Sequence, residues 1–278
     1  MTLKQQFVNF IDQTYNTTFL PDARLIEPTK QQLFKQDMLE GLDKILLLKD
    51  KYYNKPALVM GLGPTLFDID QNHYTNCVKL TCNHFHRVPN FFTDSFKPDF
   101  WCAANSYGEL KDPFTLCMQN NIQTFVTIPI RIEFFDLLNI SRQENKMHLV
   151  NPWMWEQQIF QNLLAAKYNI TKIYSRCNTI TNHMIAFALW LGCNPISVTG
   201  FDLSYKKALK NSGTTHAGFN DDWVEDDDSV LGNNAFDEPA EKRQIINDLK
   251  YLCTIANHNK IKINNLSHNS NKLPKRLA

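Results

Sequence analysis

The apolar positions of the chain fall into two textures. Up to about residue 50 they recur at helical spacing. Phe7, Phe10 and Ile11 mark a first helical stretch, and Leu33, Met38, Leu39, Leu42, Ile45 and Leu46 form the stripe of a helix over residues 31–49. From residue 56 onward short continuous apolar runs take over, each closed by a breaker. Residues 56–60 read as a strand ending at Gly61 and residues 77–81 as a second. A third, 100–104, is introduced by Pro98-Asp99, and a fourth, 124–128, is stopped by Pro129. A short strand at 172–174 is weaker. Residues 179–191 read as a helix with Gly192 as its C-terminal stop, and 195–199 as a strand ending at Gly200. A long helix over 237–257 leads into a strand at 260–264.

Short apolar strands alternating with helices predict an α/β fold: a Rossmann-like, mostly parallel sheet with helices on both faces. The expected layout is an N-terminal helical extension, residues 1–50, then one Rossmann-like domain, residues 51–278, carrying a lid at about 206–236. No internal repeat is present. A length of 278 residues suits one large domain with an appendage, and 43% hydrophobic residues are enough for a core. Lys and Arg number 29 against 28 Asp and Glu, a balance that argues against a general nucleic-acid coat.

In open parallel sheets ligands bind beyond the carboxyl ends of the strands, so the residues just past each strand are where chemistry is expected. After the first strand comes Gly61-Leu-Gly63-Pro64-Thr65-Leu66. Two glycines let backbone amides approach a ligand closely, and Thr65 is placed to cap a following helix whose N-terminus could seat a phosphate. The same residues also read as a plain tight turn. The spacing is not GxGxxG, and the lysine of a P-loop is missing. Asn83 follows the second strand and Asn105 the third, each offering a donor and an acceptor for a base or ribose, or else capping a turn. His84 and His86 could ligate a metal, but no third ligand is evident nearby. Thr179 and Thr181 open an apolar helix whose free amides could hold an anion, and Asn178 or Thr179 is the expected N-cap. The strand at 195–199 runs into Gly200-Phe201-Asp202, with Tyr205 close behind. A carboxylate in that position is a common ligand contact.

About thirty residues without periodicity follow, read as a lid. His216 within it is the candidate general acid/base, since an unperturbed imidazole titrates near neutrality. The acidic run Asp221 to Asp228 reads as a solvated charged loop or, alternatively, as a Mg²⁺ site. The seven cysteines are widely spread with no CxxC pair, which predicts buried free thiols rather than a zinc site. Residues 1–20 lack the layout of a secretory signal, and no apolar run is long enough to span a membrane. A cytoplasmic protein is therefore expected, with peripheral membrane contact left open by the basic tail Lys272-Leu-Pro-Lys-Arg276.

The order of these motifs resembles the bacterial sialyltransferases of the Campylobacter lipooligosaccharide type. Gly61-Leu-Gly-Pro-Thr-Leu66, Thr81-Cys-Asn83, Asn105, a Thr-led helix ending Ala188-Leu-Trp-Leu-Gly192, and Val198-Thr-Gly-Phe-Asp202 follow one another as in that group, over about residues 55–265. The related motility-associated-factor glycosyltransferases are similar. So is the archaeal 6-hydroxymethylpterin pyrophosphokinase, in its glycine turn and Gly-x-Asp strand end.

The resemblance implies a glycosyltransferase that moves a nonulosonic, sialic-type sugar from a CMP-activated donor to a hydroxyl of a glycan or protein. Gly61, Gly63, Pro64, Thr65 and Asn83 would face the nucleotide or its phosphate, and Asn105 the sugar-phosphate. Thr179 and Thr181 would lie near the donor carboxylate, with Gly200, Asp202 and Tyr205 around the cytidine or its phosphate. His216 would be the general base. No metal or other cofactor would be required. Tetramers and peripheral membrane attachment are common in the group, so a homo-oligomer is a further expectation. This sequence departs from the group's pattern in three places: its Gly-Asn-Gly turn is Gly61-Leu62-Gly63 here, its Thr-Ser pair is Thr179-Ile180, and the aromatic after the aspartate strand is displaced to Tyr205. The alternatives are a pyrophosphokinase-like enzyme using ATP and Mg²⁺, or a non-catalytic nucleotide-binding relative.

Overall fold

Apolar runs with almost no polar interruption have to be covered on both sides, and parallel strands between helix layers provide that cover. The computed structural model describes residues 40, 41, 43–88, 93, 96–103, 111–127, 148–151, 157–170, 179–201 and 239–267. Among these residues the strands are β1 (Ala57–Met60), β2 (Val78–Cys82), β3 (Phe100–Ala103), β4 (Gln123–Thr127), β5 (His148–Asn151), β6 (Ile196–Thr199) and β7 (Ile263–Asn265). They form one sheet in the order β5-β4-β3-β2-β1-β6-β7. Every pairing is parallel. All residues of β1, β2, β3 and β6 are buried.

The helices are α1 (Lys111–Gln119), α2 (Gln157–Tyr168), α3 (Ile180–Trp190) and α4 (Pro239–His258). Beyond its first turn helix α3 is apolar around its whole circumference because it is enclosed on every side, and residues 181–190 are all buried. It lies on the sheet face that carries Phe100, whose ring meets Phe187 edge-on at 5.1 Å. Helices α2 and α4 flank it: the Tyr168 hydroxyl donates to Leu189 O at 2.6 Å, and Asn182 Nδ2 donates to Ile245 O at 3.2 Å. On the opposite face Trp101 packs against Phe114 of α1 at 6.3 Å. The α/β architecture with helices on both faces is therefore as the sequence implies.

The C-terminal end of α3 is closed by residues from before β1. Asp50 N donates to Trp190 O, Tyr52 N to Leu191 O and Asn54 N to Gly192 O, at 3.0, 2.9 and 2.9 Å. Gly192, at φ +81°, is the left-handed stop expected there. The Lys167 ammonium sits on the last carbonyls, 2.7 Å from Leu189 O and 2.8 Å from Trp190 O, and 2.6 Å from the Asp50 carboxylate. A cation is favoured there by the helix dipole. Burial pulls the Lys167 pKa down, and Asp50 works against that shift.

Residues 43–47 are helical, and Ile45 and Leu48 belong to the main core. Leu46, placed on the buried stripe by spacing, is 38% exposed. The buried face at this end of the helix runs through Ile45 and Leu48 instead. Strand β5 and helices α1 and α2 lie where the apolar pattern predicts no element. The last strand begins at Ile263 rather than at 260, because Lys260 takes a left-handed φ of +59° and Ile261 N still bonds back to Ala256 O at 2.8 Å. The helical stretch before residue 40, the short strand at 172–174 and the lid at 206–236 lie outside the described residues. Among the described residues, no helix is long and apolar enough to cross a membrane.

Candidate functional site

From β1 the chain adds strands outward to β5, then returns to the other side of β1 for β6 and β7. The direction of winding therefore reverses between β1 and β6, and the carboxyl ends of these two strands are where open parallel sheets bind ligands. The last paired residues there are Met60 and Thr199, followed by Gly61 and Gly200. The two glycines touch. A Cβ on Gly61 would collide with the Gly200 carbonyl, reaching 2.9 Å from its carbon and 3.2 Å from Thr181 Oγ1. A Cβ on Gly200 would collide with the Gly61 carbonyl, 2.6 Å from its carbon, and Gly200 is itself at φ +65°. The sequence-based site residues Gly61, Gly200 and Thr181 are thus brought together at the switch point.

Thr65 joins them, though not as a helix cap. The segment after the glycine turn is a five-residue 3-10 helix, Pro64–Asp68, whose N-cap is Gly63 and whose cap makes no side-chain bond. Pro64 occupies its first turn, where no amide is needed. The Thr65 hydroxyl instead accepts from Gly200 N at 3.2 Å and donates to Ser267 Oγ at 2.9 Å, and Thr65 O accepts from Thr199 Oγ1 at 3.0 Å. The amides of Gly61 and Gly63 are spent on Thr199 O and Gly200 O, both at 2.9 Å. The expectation that Thr65 caps the following helix is therefore corrected. The short 3-10 turn is laced onto β6, and long-range partners claim the groups that a local reading assigns to a cap.

Asn83 follows β2 at φ +42°, a left-handed position that asparagine tolerates. Its amide donates to Cys102 O at 3.0 Å, and its carbonyl accepts from Trp101 Nε1 at 2.8 Å. This backbone anchoring holds the residue at the strand end. Thr179 is the N-cap of α3, its hydroxyl accepting from Asn182 N at 3.1 Å. Cys82, completely buried between β1 and β3, has its thiol pushed up to about 12 by desolvation, so it stays protonated and is no nucleophile at neutral pH. The described cysteines are free thiols, buried apart from the half-buried Cys77. No group of three His, Cys, Asp or Glu side chains among the described residues could hold a metal. The rings of His84 and His86 lie 5.9 Å apart. Asn105, Asp202, Tyr205 and His216 lie outside the described residues, as does the acidic run 221–228.

Two residues of this network went unread in the sequence. Asn265 is the last residue of β7 and Ser267 lies two residues beyond it, and Ser267 Oγ accepts from Thr65 at 2.9 Å and from Phe201 N at 3.2 Å. The signal was the polar Asn264-Asn265-Leu266-Ser267 at the end of a buried strand.

No protein-family model matches the chain, and no curated protein sequence is significantly similar to it. Solved structures are similar in fold. The sialyltransferase CstII from Campylobacter jejuni in complex with the substrate analogue CMP-3FNeuAc is 19% identical, with a TM-score of 0.50 over 78% of this chain and 83% of that one. The same enzyme with cytidine-5'-monophosphate gives 18% identity and a TM-score of 0.48 over 79% and 82%. An alpha-2,3-sialyltransferase from Campylobacter jejuni in apo form gives 18% and 0.44 over 78% and 77%. The chain is thus an open, parallel α/β sheet protein of the architecture on which the CMP-3FNeuAc complex is built.

Proposed function

We propose that this protein is a sialyltransferase-like glycosyltransferase that carries a nonulosonic sugar from a CMP-activated donor to a hydroxyl of a glycan or protein. The observation that carries the reading is the contact of Gly61 with Gly200 at the switch point of the sheet. It is the place where such sheets bind nucleotides, in a fold shared with an enzyme bound to CMP-3FNeuAc. The ordered strand-end motifs support it independently.

In this reading the donor's nucleotide lies across the carboxyl ends of β1, β2 and β6, with Gly63, Pro64 and Asn83 on one side and Gly200, Asp202 and Tyr205 on the other. Asn105 faces the sugar-phosphate, and Thr179 and Thr181 the donor carboxylate. The acceptor oxygen attacks the anomeric carbon as the bond to the phosphate oxygen breaks. CMP leaves with the electron pair, and His216 takes the acceptor proton. Charge develops on the sugar as an oxocarbenium-like transition state, which a site closed to water stabilises best. No metal is needed for this sequence of events.

The test is a thermal-shift screen with CMP, UDP, GDP, ADP and ATP, each with and without Mg²⁺. A ligand at 100 times its dissociation constant adds about 2.7 kcal/mol. Stabilisation by CMP without metal is expected, followed by transfer from a CMP-sugar that His216→Ala abolishes while CMP binding persists. Stabilisation by ATP only with Mg²⁺ would overturn the reading in favour of a pyrophosphokinase-like enzyme.

A further inference from the structure

The strand end that leads to Asp202 is fastened from an unexpected direction. β7 is the edge strand at the C-terminal end of the described chain, and its exit crosses over the carboxyl end of β6. Leu266 N donates to Val198 O at 2.8 Å, and Ser267 N donates to the Asn265 side chain at 3.0 Å. This turn aims the Ser267 hydroxyl back into the switch point, where it is 1% exposed. There it accepts from the amide of Phe201, the residue immediately before Asp202, and from Thr65 of the glycine turn. Thr65 in turn accepts from the Gly200 amide. Two consecutive amides at the exit of β6 are therefore held by two side-chain hydroxyls that are bonded to each other. One belongs to the turn after β1, and the other lies 202 residues away.

We infer that Ser267 is a positioning residue: through the Ser267–Thr65 hydroxyl pair it fixes the exit of β6, so that the glycine turn and Gly200-Phe201 present one rigid edge to the nucleotide. As far as it concerns the nucleotide, this rests on the function proposed above. Ser267 need not touch the ligand. Packing alone does not require a hydroxyl at this point, because an apolar residue would fill the space. The serine hydroxyl satisfies the Phe201 amide, which among the described residues has no backbone partner.

Two measurements on the full chain test this. Hydrogen exchange followed by mass spectrometry compares wild type, Ser267→Ala and Ser267→Thr without ligand. In Ser267→Ala, exchange at the amides of Gly200 and Phe201 should quicken at least about tenfold while residues 57–60 in β1 exchange as in wild type, and Ser267→Thr, which keeps the hydroxyl, should restore protection. Equal rates in all three proteins, or loss of protection in β1 as well, would overturn the inference. The second measurement is CMP affinity by calorimetry. Ser267→Ala should bind about tenfold more weakly with a ligand-free Tm within about 3 °C of wild type, and Ser267→Thr should bind nearly as wild type. Unchanged CMP affinity in Ser267→Ala would remove Ser267 from the ligand edge. If wild type itself binds no CMP, the proposed function fails, and the exchange comparison alone decides whether Ser267 sets the exit of β6.

Discussion

Adding one methyl group at Gly61 or Gly200 should split the sheet at its switch point. Each alanine Cβ would be driven into the other glycine's carbonyl, and neither obstacle is a side chain that can turn aside. Overpacking of this kind costs about 1–3 kcal/mol. Gly200 carries a second penalty, because its φ of +65° costs an L-residue about 1–2 kcal/mol more. Gly61→Ala is therefore expected to lose about 1–3 kcal/mol and Gly200→Ala about 2–5 kcal/mol, a large part of the stability of an ordinary domain. The double variant should cost less than the sum. Once β1 and β6 have been wedged apart by one methyl group, the second finds room, and a coupling of about 0.5–3 kcal/mol is expected. Gly63→Ala is the control: at φ −70°, ψ 160° its backbone is ordinary for any residue. It should stay within about 0.5 kcal/mol of wild type. Urea unfolding followed by circular dichroism measures all four variants, with the m-value checking that the unfolding transition is unchanged. Strict additivity, or a Gly61→Ala protein as stable as wild type, would refute the contact as the organising feature of the site.

Other outcomes follow from single groups. Gly63→Val should fold normally, since a β-branched residue suits an extended position before proline, yet lose CMP affinity in calorimetry because the side chain enters the approach to the turn. Lys167→Met keeps most of the buried stem but removes the cation from Leu189 O and Trp190 O, and should cost about 2–3 kcal/mol in urea. Asp50→Asn should cost less, because the carboxylate is 41% exposed and Lys167 keeps Leu189 O and Trp190 O as acceptors. In a Cys177→Ser background, Cys77 should react first with a thiol reagent and the remaining cysteines only on unfolding, as their burial requires. Burial pushes Cys82 and Cys193 up to about 12 and Cys253 to about 11 from an ordinary 9.0. The unfolded chain thus releases these protons first. Stability should be whole below about pH 9 and fall steadily as the pH rises toward 12, which urea midpoints at pH 8 and pH 10 would detect.

How much of this was legible depends on how far each element's determinants lie from it along the chain. β1, β2, β3 and β6 are runs of four or five residues buried on both faces: β1 and β3 are wholly apolar, while β2 and β6 alternate apolar residues with Lys79, Thr81, Ser197 and Thr199 and are marked by their β-branched residues and closing breakers. β5 is His148-Leu-Val-Asn151, with only two apolar residues between polar ends, and becomes a strand because β4 offers it an edge. Helix α1 carries Pro113 within its first turn, which reads as a breaker although it is harmless there. The C-terminus of α4 is turned by Lys260 in a left-handed conformation, where a glycine would have announced the stop. The site follows the same rule more sharply. Gly61, Gly200 and Thr181 stood out because each follows a strand or opens a helix. The partner of Thr65 did not, since a threonine after a glycine turn has a ready local role as a cap. What overrides that role is a serine 202 residues away and the amide of a glycine 135 residues away. A buried hydroxyl takes whichever donors and acceptors the sheet order brings to it. The order that places β6 and β7 on the far side of β1 therefore turns Thr65 from a cap into the link between the turn after β1 and the exits of β6 and β7.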